Sequence, residues 1–217
     1  NTETVSVEVG KTWVGGDAQN RPDITINLLA DGIEIDEVTL TNGTLSHSFT
    51  GLPKYNSETE ALIAYTVTED DVEGYTPDVD GPYEDGEYYY VYIENTLQSF
   101  VVKYDPNGGE GIIPEPQTAG YGTDVTVIEN PFTMNGHEFT GWNTEAGGTG
   151  TAYDPEDIFS MPAHDVTLYA QWAPIDGVSY TVYYLYDNGE QEVNVHEPKV
   201  VTGKVFGQTV TETAIDV

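Results

Sequence analysis

The chain has 217 residues, of which 38 are acidic and 6 basic, so its formal charge is -32. A charge of this size repels nucleic acid and anionic membranes, and we expect neither as a partner. The sequence contains no cysteine and no apolar run near the roughly 18 residues of a membrane span, so we predict neither disulfides nor membrane insertion. Short Val-, Ile- and Thr-rich runs between Gly and Pro residues are typical of an all-β protein.

The first predicted strand carries a lysine on its apolar face. In the stretch VSVEVGKTW, Val5, Val7 and Val9 point to one side, and the same alternation places Lys11 and then Trp13 on that side. A strand that begins at the first residues, without a visible leader, suggests a piece of a longer protein.

Two later strands repeat this arrangement, each with one polar residue continuing an apolar face. The faces consist of Ala61, Ile63, Tyr65 and Val67 in the earlier strand and of Tyr89, Val91 and Ile93 in the later one. Glu69 continues the first face and Asn95 the second. Three polar residues at inward positions of three strands predict one buried site.

The chemistry of these three residues allows two interpretations. A buried lysine tends to lose its proton, and a neutral amine is a nucleophile. A carboxylic acid that keeps its proton could polarise the side-chain amide of Asn95, so that Lys11 attacks it and releases ammonia, with Glu69 as the catalytic acid and proximity supplying much of the rate. The alternative is a buried Lys11–Glu69 ion pair with Asn95 hydrogen-bonded beside it. Alternation alone does not distinguish them.

The first segment resembles a Cna B-type domain of Gram-positive surface proteins. The matching stretches occur in the family's order across residues 3 to 97: KTW, NRPDITINLLADG, FTGLPKY, YTVTED, GYT and IENT. The resemblance implies a prealbumin-like β-sandwich over residues 1–97. It also implies a spontaneous isopeptide bond between Lys11 and Asn95, assisted by Glu69. The acidic, tyrosine-rich stretch at 80–92 departs from the family pattern and leaves the start of the last strand open.

The second segment, residues 98–174, contains a turn and an aromatic-rich strand region. In DPNGG at 105–109, Asp, Asn and Gly favour left-handed backbone. We predict a core that comprises Phe139, Trp142, Tyr153, Leu168, Tyr169 and Trp172. The stretches YDPNGG, FTGWNTEAGG and DVTLYAQW resemble an internalin-type B repeat, which implies a small β-grasp module without enzymatic activity.

The third segment, residues 175–217, begins with an alternating strand and a predicted hairpin turn at Asp187-Asn188-Gly189. The stretch VTGKVFGQTV at 201–210 resembles part of a mucin-binding-type repeat, which implies a partial β-hairpin unit.

We expect no cofactor and no metal. His137 and His164 fit no metal-ligand spacing and are expected at the surface. The carboxylate clusters at 69–73 and 78–87 lack the spacing of an EF-hand loop. The alternating residues Tyr88, Tyr90 and Tyr92 point away from the Asn95 side and form a possible contact surface.

The sequence therefore predicts a mainly all-β region of an extracellular, cell-wall-associated surface protein, present as a monomer within a longer chain. Its role would be that of a stalk or adhesin shaft, arranged as an elongated rod, with self-cross-linking as its only chemistry and no enzymatic turnover. The alternative is a ligand-binding adhesin region that recognises host glycan or extracellular-matrix protein.

Overall fold

The computed structural model describes residues 3–187 and 192–212. The described residues form strands, turns and irregular segments only, and none of them builds a helix long and apolar enough to cross a membrane. The strands within the described residues are β1 (Thr4–Val14), β2 (Ile24–Ala30), β3 (Ile33–Leu40), β4 (Ser46–Pro53), β5 (Tyr65–Glu69), β6 (Tyr75–Asp85), β7 (Tyr88–Leu97), β8 (Ser99–Asp105), β9 (Gln117–Gly120), β10 (Asp124–Thr126), β11 (His137–Asn143), β12 (Ala152–Tyr153), β13 (Ile158–Ser160), β14 (Val166–Pro174), β15 (Val178–Val182), β16 (Leu185–Asp187), β17 (Glu192–Asn194) and β18 (Lys199–Lys204). The predicted all-β class is confirmed.

The chain divides into two compact units. The first contains Asn1–Val101, Thr118–Val125 and Phe159–Asp165, and the second contains Val102–Gln117, Thr126–Ile158 and Val166–Val217. The predicted division into segments 1–97, 98–174 and 175–217 stays a prediction.

The first unit contains a sandwich of two sheets. One sheet has the strand order β4-β1-β7-β6, and the other has the order β3-β2-β5. β1 runs parallel to β7 and antiparallel to β4. Alternate side chains of both sheets point inward, so the core draws valines, isoleucines and aromatic residues from β1, β2, β4, β5 and β7.

The start of β5 differs from the sequence prediction, and the structure also defines the stretch at 80–92, which the sequence left open. β5 begins at Tyr65, and Ala61 is exposed, because the backbone before it turns back on itself from Asn56, with Glu60 at a φ of 55°. The predicted apolar face of this strand is therefore shortened. The tyrosine-rich stretch at 80–92 forms the end of β6 and the start of β7, joined at Gly86, whose φ is 67°.

The second unit is organised around β11, which pairs antiparallel with β12 and β14, while β14 pairs parallel with β8. Trp142 on β11 is fully buried, and its Nε1 donates a hydrogen bond to the carbonyl of Ile128 at 3.1 Å. Phe139 packs edge-on against this ring at a centroid distance of 5.2 Å. Of the predicted core residues, Trp142 and Leu168 are fully buried; Phe139, Tyr153, Tyr169 and Trp172 are half-buried.

The DPNGG turn adopts the predicted left-handed conformation, with φ of 47° at Asn107 and 89° at Gly108. Further along the chain, β15 pairs with β18 and β16 pairs with β17, both antiparallel. The strands β16 and β17 flank the predicted hairpin turn, but its residues Asn188 and Gly189 lie outside the described residues.

Candidate functional site

Lys11 lies on the inner face of β1. The strand alternates strictly up to this point, so that Val5, Val7 and Val9 are buried and Lys11 follows them at 3% exposure. Its side chain as a whole is inaccessible to solvent. The period of two in an extended strand therefore places a charged group inside the sandwich.

Asn95 occupies the corresponding position on β7. Tyr89, Val91 and Ile93 precede it on the inner face, and Asn95 itself is fully buried. In the parallel pairing of β1 with β7, Lys11 stands opposite Ile93, and Asn95 stands opposite Trp13. Lys11 and Asn95 therefore lie on the same face of one sheet, offset by two residues along the paired strands.

Glu69 reaches the same point from the other sheet. It is the last residue of β5 and pairs with Ile26 on β2. Its side chain is inaccessible to solvent, and one carboxylate oxygen, Oε2, lies 3.2 Å from Lys11 Nζ. The other oxygen, Oε1, accepts a hydrogen bond from Asn95 Nδ2 at 2.5 Å. One carboxylate therefore bridges the amine and the amide.

The hydrogen-bonding capacity of this cluster is only partly used. Lys11 Nζ and Glu69 Oε2 lie at ion-pair distance, but neither forms an aligned hydrogen bond, and Asn95 Oδ1 has no partner either. A buried polar atom without a partner costs about 1–3 kcal/mol. The amide oxygen of Asn95 therefore remains available for a further hydrogen bond.

Burial acts most strongly on the lysine. Loss of solvent lowers the pKa of Lys11 below its ordinary value of 10.5, while the carboxylates of Glu69 and, more weakly, Glu94 oppose this shift. A lowered lysine pKa increases the fraction of neutral amine, which is the nucleophilic form.

The hydrogen bond of Glu69 differs from the sequence expectation. The expected catalytic arrangement has an acid donating to the amide oxygen of Asn95, but the Glu69 carboxylate instead accepts from the amide nitrogen. In this arrangement Glu69 Oε1 is the acceptor, so the amide presents its N–H group to it and not its oxygen. The three residues meet as predicted, in a different hydrogen-bonding state.

Two neighbouring side chains extend the site. The Trp13 ring lies 4.6 Å from Lys11 Nζ, measured to the ring centroid, and Arg21 Cζ lies 5.6 Å from the same centroid. The alternation of β1 predicts the inward position of Trp13 from the sequence. Arg21 lies between strands, where no periodic signal identifies it.

The remaining polar residues singled out from the sequence form no second centre of this kind. His164 is exposed and His137 half-buried, and each ring nitrogen Nδ1 contacts a nearby backbone carbonyl. Within residues 3–187 and 192–212, no group of three or more His, Cys, Asp or Glu residues is placed to hold a metal ion.

Comparison with protein families gives two matches. Residues 7–96 match the model of the Cna protein B-type domain, and residues 100–171 match that of the Listeria-Bacteroides repeat domain. The first match contains Lys11, Glu69 and Asn95. The predicted Cna B-type resemblance of the first segment is confirmed. The internalin-type and mucin-binding-type resemblances stay predictions.

Curated proteins similar to the chain are much longer than it. A collagen adhesin of Staphylococcus aureus is 32% identical over 173 residues, which are 75% of this chain and 14% of that protein. A putative membrane protein of Evansella cellulosilytica is 36% identical over 85 residues, 38% of this chain and 13% of that protein. The chain therefore spans only a small part of each relative.

The chain also matches solved structures at low sequence identity. A single B repeat unit of the Staphylococcus aureus collagen-binding surface protein is 22% identical, with a TM-score of 0.35, covering 79% of this chain and all of that one. The pilus backbone protein of Streptococcus pneumoniae is 19% identical, with a TM-score of 0.32, over 54% of this chain and 37% of that one.

Proposed function

We propose that the first sandwich cross-links itself through an amide between Lys11 and Asn95 and serves as a load-bearing module of a bacterial surface protein. The observation that carries this proposal is the contact of one buried carboxylate with both prospective partners. Glu69 lies 3.2 Å from the lysine nitrogen and 2.5 Å from the amide nitrogen that would leave.

The reaction begins with a proton transfer. A proton moves from Lys11 Nζ to Glu69, which produces a neutral amine and a neutral acid in one step. Both neutral forms suit a site without solvent, because burial penalises charge on either group. Rotation of the Asn95 amide by half a turn would let the protonated Glu69 polarise its oxygen.

The new bond forms between Lys11 Nζ and Asn95 Cγ, and the bond between Cγ and Nδ2 breaks. The attacking nitrogen gives up a second proton. The leaving nitrogen takes one proton by way of Glu69 and departs as ammonia, and the other proton stays on Glu69. One ammonium, one carboxylate and one primary amide become one secondary amide, one ammonia and one neutral carboxylic acid, so Glu69 ends with the proton that Lys11 first gave it. Fixed proximity supplies much of the rate.

A stalk role agrees with the relatives and with the composition. The similarity to a collagen adhesin extends over 75% of the chain and favours an extracellular region of a surface protein, attached to the cell wall. A cross-link between β1 and β7 would tie together two strands at opposite ends of the module's sequence. Tension entering at one strand would pass to the other through a covalent bond.

The mass of the intact protein tests the cross-link. We expect folded material to be lighter than its sequence by one ammonia and to yield a branched peptide containing Lys11 and Asn95 after digestion. Glu69→Gln should fold and keep the full mass, because Gln cannot carry the proton. Lys103→Arg, at an exposed lysine of β8, is the matched control and should lose ammonia normally. Full mass in folded wild-type protein would contradict the cross-link.

A second candidate function is recognition of matrix protein. The relative with 32% identity is named as a collagen adhesin, and the similar stretch is 14% of that protein. Saturable binding of the purified chain to immobilised fibrillar collagen would support this candidate. Absence of binding, together with the mass loss, would leave the stalk role as the remaining one of the two candidates.

A further inference from the structure

A tyrosine-rich surface covers the outer face of the first sandwich. On β7, the residues between the buried ones point outward, and they include Tyr88, Tyr90 and Tyr92. Tyr83 on β6 stands directly opposite Tyr90. Three of these rings are about half exposed, at 47% for Tyr88, 52% for Tyr83 and 54% for Tyr92. We call these four residues the tyrosine face.

The rings of the tyrosine face are ordered by one another and by the sheet. Tyr88 and Tyr90 stack with centroids 6.3 Å apart, and Tyr83 and Tyr92 lie 6.4 Å apart. Tyr92 lies against Gly10 of β1, where an added Cβ would come within 3.1 Å of its ring. A glycine at this position lets the ring approach the strand beside it. Each of the four rings therefore has a second ring beside it, and tyrosine has few rotatable bonds to restrict on binding.

Carboxylates surround the tyrosine face on both sides. Asp80 and Asp85 of β6 stand opposite Tyr92 and Tyr88, and Glu8 of β1 stands opposite Tyr90. Glu94 follows Tyr92 on the outward side of β7. No Lys, Arg or His occupies an outward position of β1, β6 or β7, which are described over their full length.

We propose that the tyrosine face binds an extended basic segment of a partner protein. Aromatic rings attract Lys and Arg side chains through their faces, and the surrounding carboxylates add charge attraction. Outward residues along β7 recur about every 7 Å, which matches the spacing of alternate side chains in an extended peptide. The carboxylates favour a cationic polypeptide over a neutral glycan, because a neutral ligand lacks the charge attraction.

This inference is independent of the cross-link. It concerns the outer face of the sheet, whereas Lys11, Glu69 and Asn95 occupy the inner face. Loss of ammonia and binding of a basic peptide are separate measurements, so either result can fail while the other stands.

Titration calorimetry with a synthetic extended peptide of alternating Arg and Ser tests the proposal. We expect saturable binding that weakens with added salt and no binding of the same peptide with Glu in place of Arg. The triple variant Tyr88→Ser, Tyr90→Ser, Tyr92→Ser should bind about tenfold more weakly or worse. Tyr92→Phe, which keeps the ring, should retain most of the affinity. Unchanged binding in the triple variant would overturn the proposal.

Because the net charge of -32 attracts a cationic peptide to the whole surface, the experiment needs a matched control for this general attraction. Asp78 of β6 stands opposite Glu94. Asp78→Asn, Asp85→Asn, Glu94→Gln removes three charges at the tyrosine face, while Glu34→Gln, Asp36→Asn, Glu37→Gln removes three from the exposed strand β3 of the other sheet. The first variant should lose affinity and the second keep it. Equal losses of affinity in the two variants would refute a basic partner. The same conclusion would follow if the wild type did not bind the Arg peptide, or if it bound neutral oligosaccharides instead of that peptide.

Discussion

Lys11 occupies a position that strongly disfavours its own charge. The effective penalty for burying one ion amounts to several kcal/mol, and an ion pair offsets it only when hydrogen bonds satisfy both partners. Here the pair lies at 3.2 Å without an aligned hydrogen bond. Conversion of the amine to an amide would remove the charge from the site altogether. The same burial that destabilises the ion pair therefore favours the reaction proposed for it.

The lowered pKa of Lys11 predicts how the stability of an unlinked variant depends on pH. In Asn95→Ala, Lys11 has no amide to attack. The unfolded chain binds the lysine proton up to the ordinary pKa of 10.5, whereas the folded chain releases it at a lower pH. Between these two values the unfolded state holds more protons, so raising the pH stabilises the fold. Urea denaturation should show the free energy of unfolding rising with pH below the ordinary lysine value of 10.5.

The buried tyrosine Tyr65 limits this rise at higher pH. Burial raises the pKa of Tyr65 above its ordinary value of 10.0, so the unfolded state loses that proton first and stability falls once the pH exceeds about 10. The control is the double variant Lys11→Met, Asn95→Ala, which should lack the alkaline rise. A rise of equal size in the double variant would mean that Lys11 is not its source.

At the scale of the strands, the proposed bond closes a loop from residue 11 to residue 95. A cross-link over a loop of this length contributes about 4 kcal/mol on the chain-entropy account used for disulfides. We expect Lys11→Met to lower the melting temperature of the first sandwich, measured by calorimetry, and to leave the transition of the second unit unchanged. The methionine keeps the aliphatic stem packed beside the valines of β1.

Two further variants separate the bond from other effects of losing Lys11. Glu69 remains buried without its partner in Lys11→Met, which itself costs stability. The double variant Lys11→Met, Glu69→Gln removes that charge and should still melt well below the wild type. Lys103→Met, at the exposed lysine of β8, should melt like the wild type. If the double variant also melts like the wild type, the bond does not stabilise the module.

Alternation along the strands predicts that Lys11, Glu69 and Asn95 point inward, and the structure brings these three side chains together. A strand exposes every second side chain to one face, so an inward Lys11 and an inward Asn95 follow from the valines and isoleucines before them. The shortened face of β5 shows the limit of this reasoning, since a turn from Asn56 removed Ala61 from the strand. Alternation also gives no information about atoms. The hydrogen bond from the Asn95 amide nitrogen to Glu69 depends on the orientation of the amide and on the distance between the two sheets.

Arg21 could not be predicted, because it lies outside the strands and reaches the site only through the Trp13 ring. Three residues of the tyrosine face, Tyr88, Tyr90 and Tyr92, follow from the alternation of β7, but the fourth, Tyr83, does not. Tyr83 joins it through the pairing of β6 with β7, whose register shifts between Asp80 and Tyr83. A register shift moves residues from one face to the other and has no signature in the period of the sequence.

At the scale of the whole molecule, the stalk role requires joints that transmit force. Residues 96–100, TLQSF, contain neither Gly nor Pro, and Leu97 and Phe100 are half-buried. Gln98 is held within the first unit by its backbone N–H, which donates to the carbonyl of Gly74 at 2.8 Å, and by its side chain, which donates to Thr76 Oγ1 at 2.8 Å. A residue fixed in this way does not act as a free tether.

The elongated rod stays a prediction, supported by the joint at residues 96–100, and small-angle X-ray scattering tests it. We expect an elongated particle with a narrow distribution of dimensions, because a stiff joint restricts the segments that it connects. Replacing residues 97–100 by Gly-Ser-Gly-Ser provides the flexible reference and should broaden the distribution. Its cross-link should still form, since Lys11, Glu69 and Asn95 are unchanged, so the mass loss confirms that the sandwich is intact. A compact wild-type particle, or one as broadly distributed as the Gly-Ser variant, would contradict the rod and with it a stalk that carries tension from one module to the next.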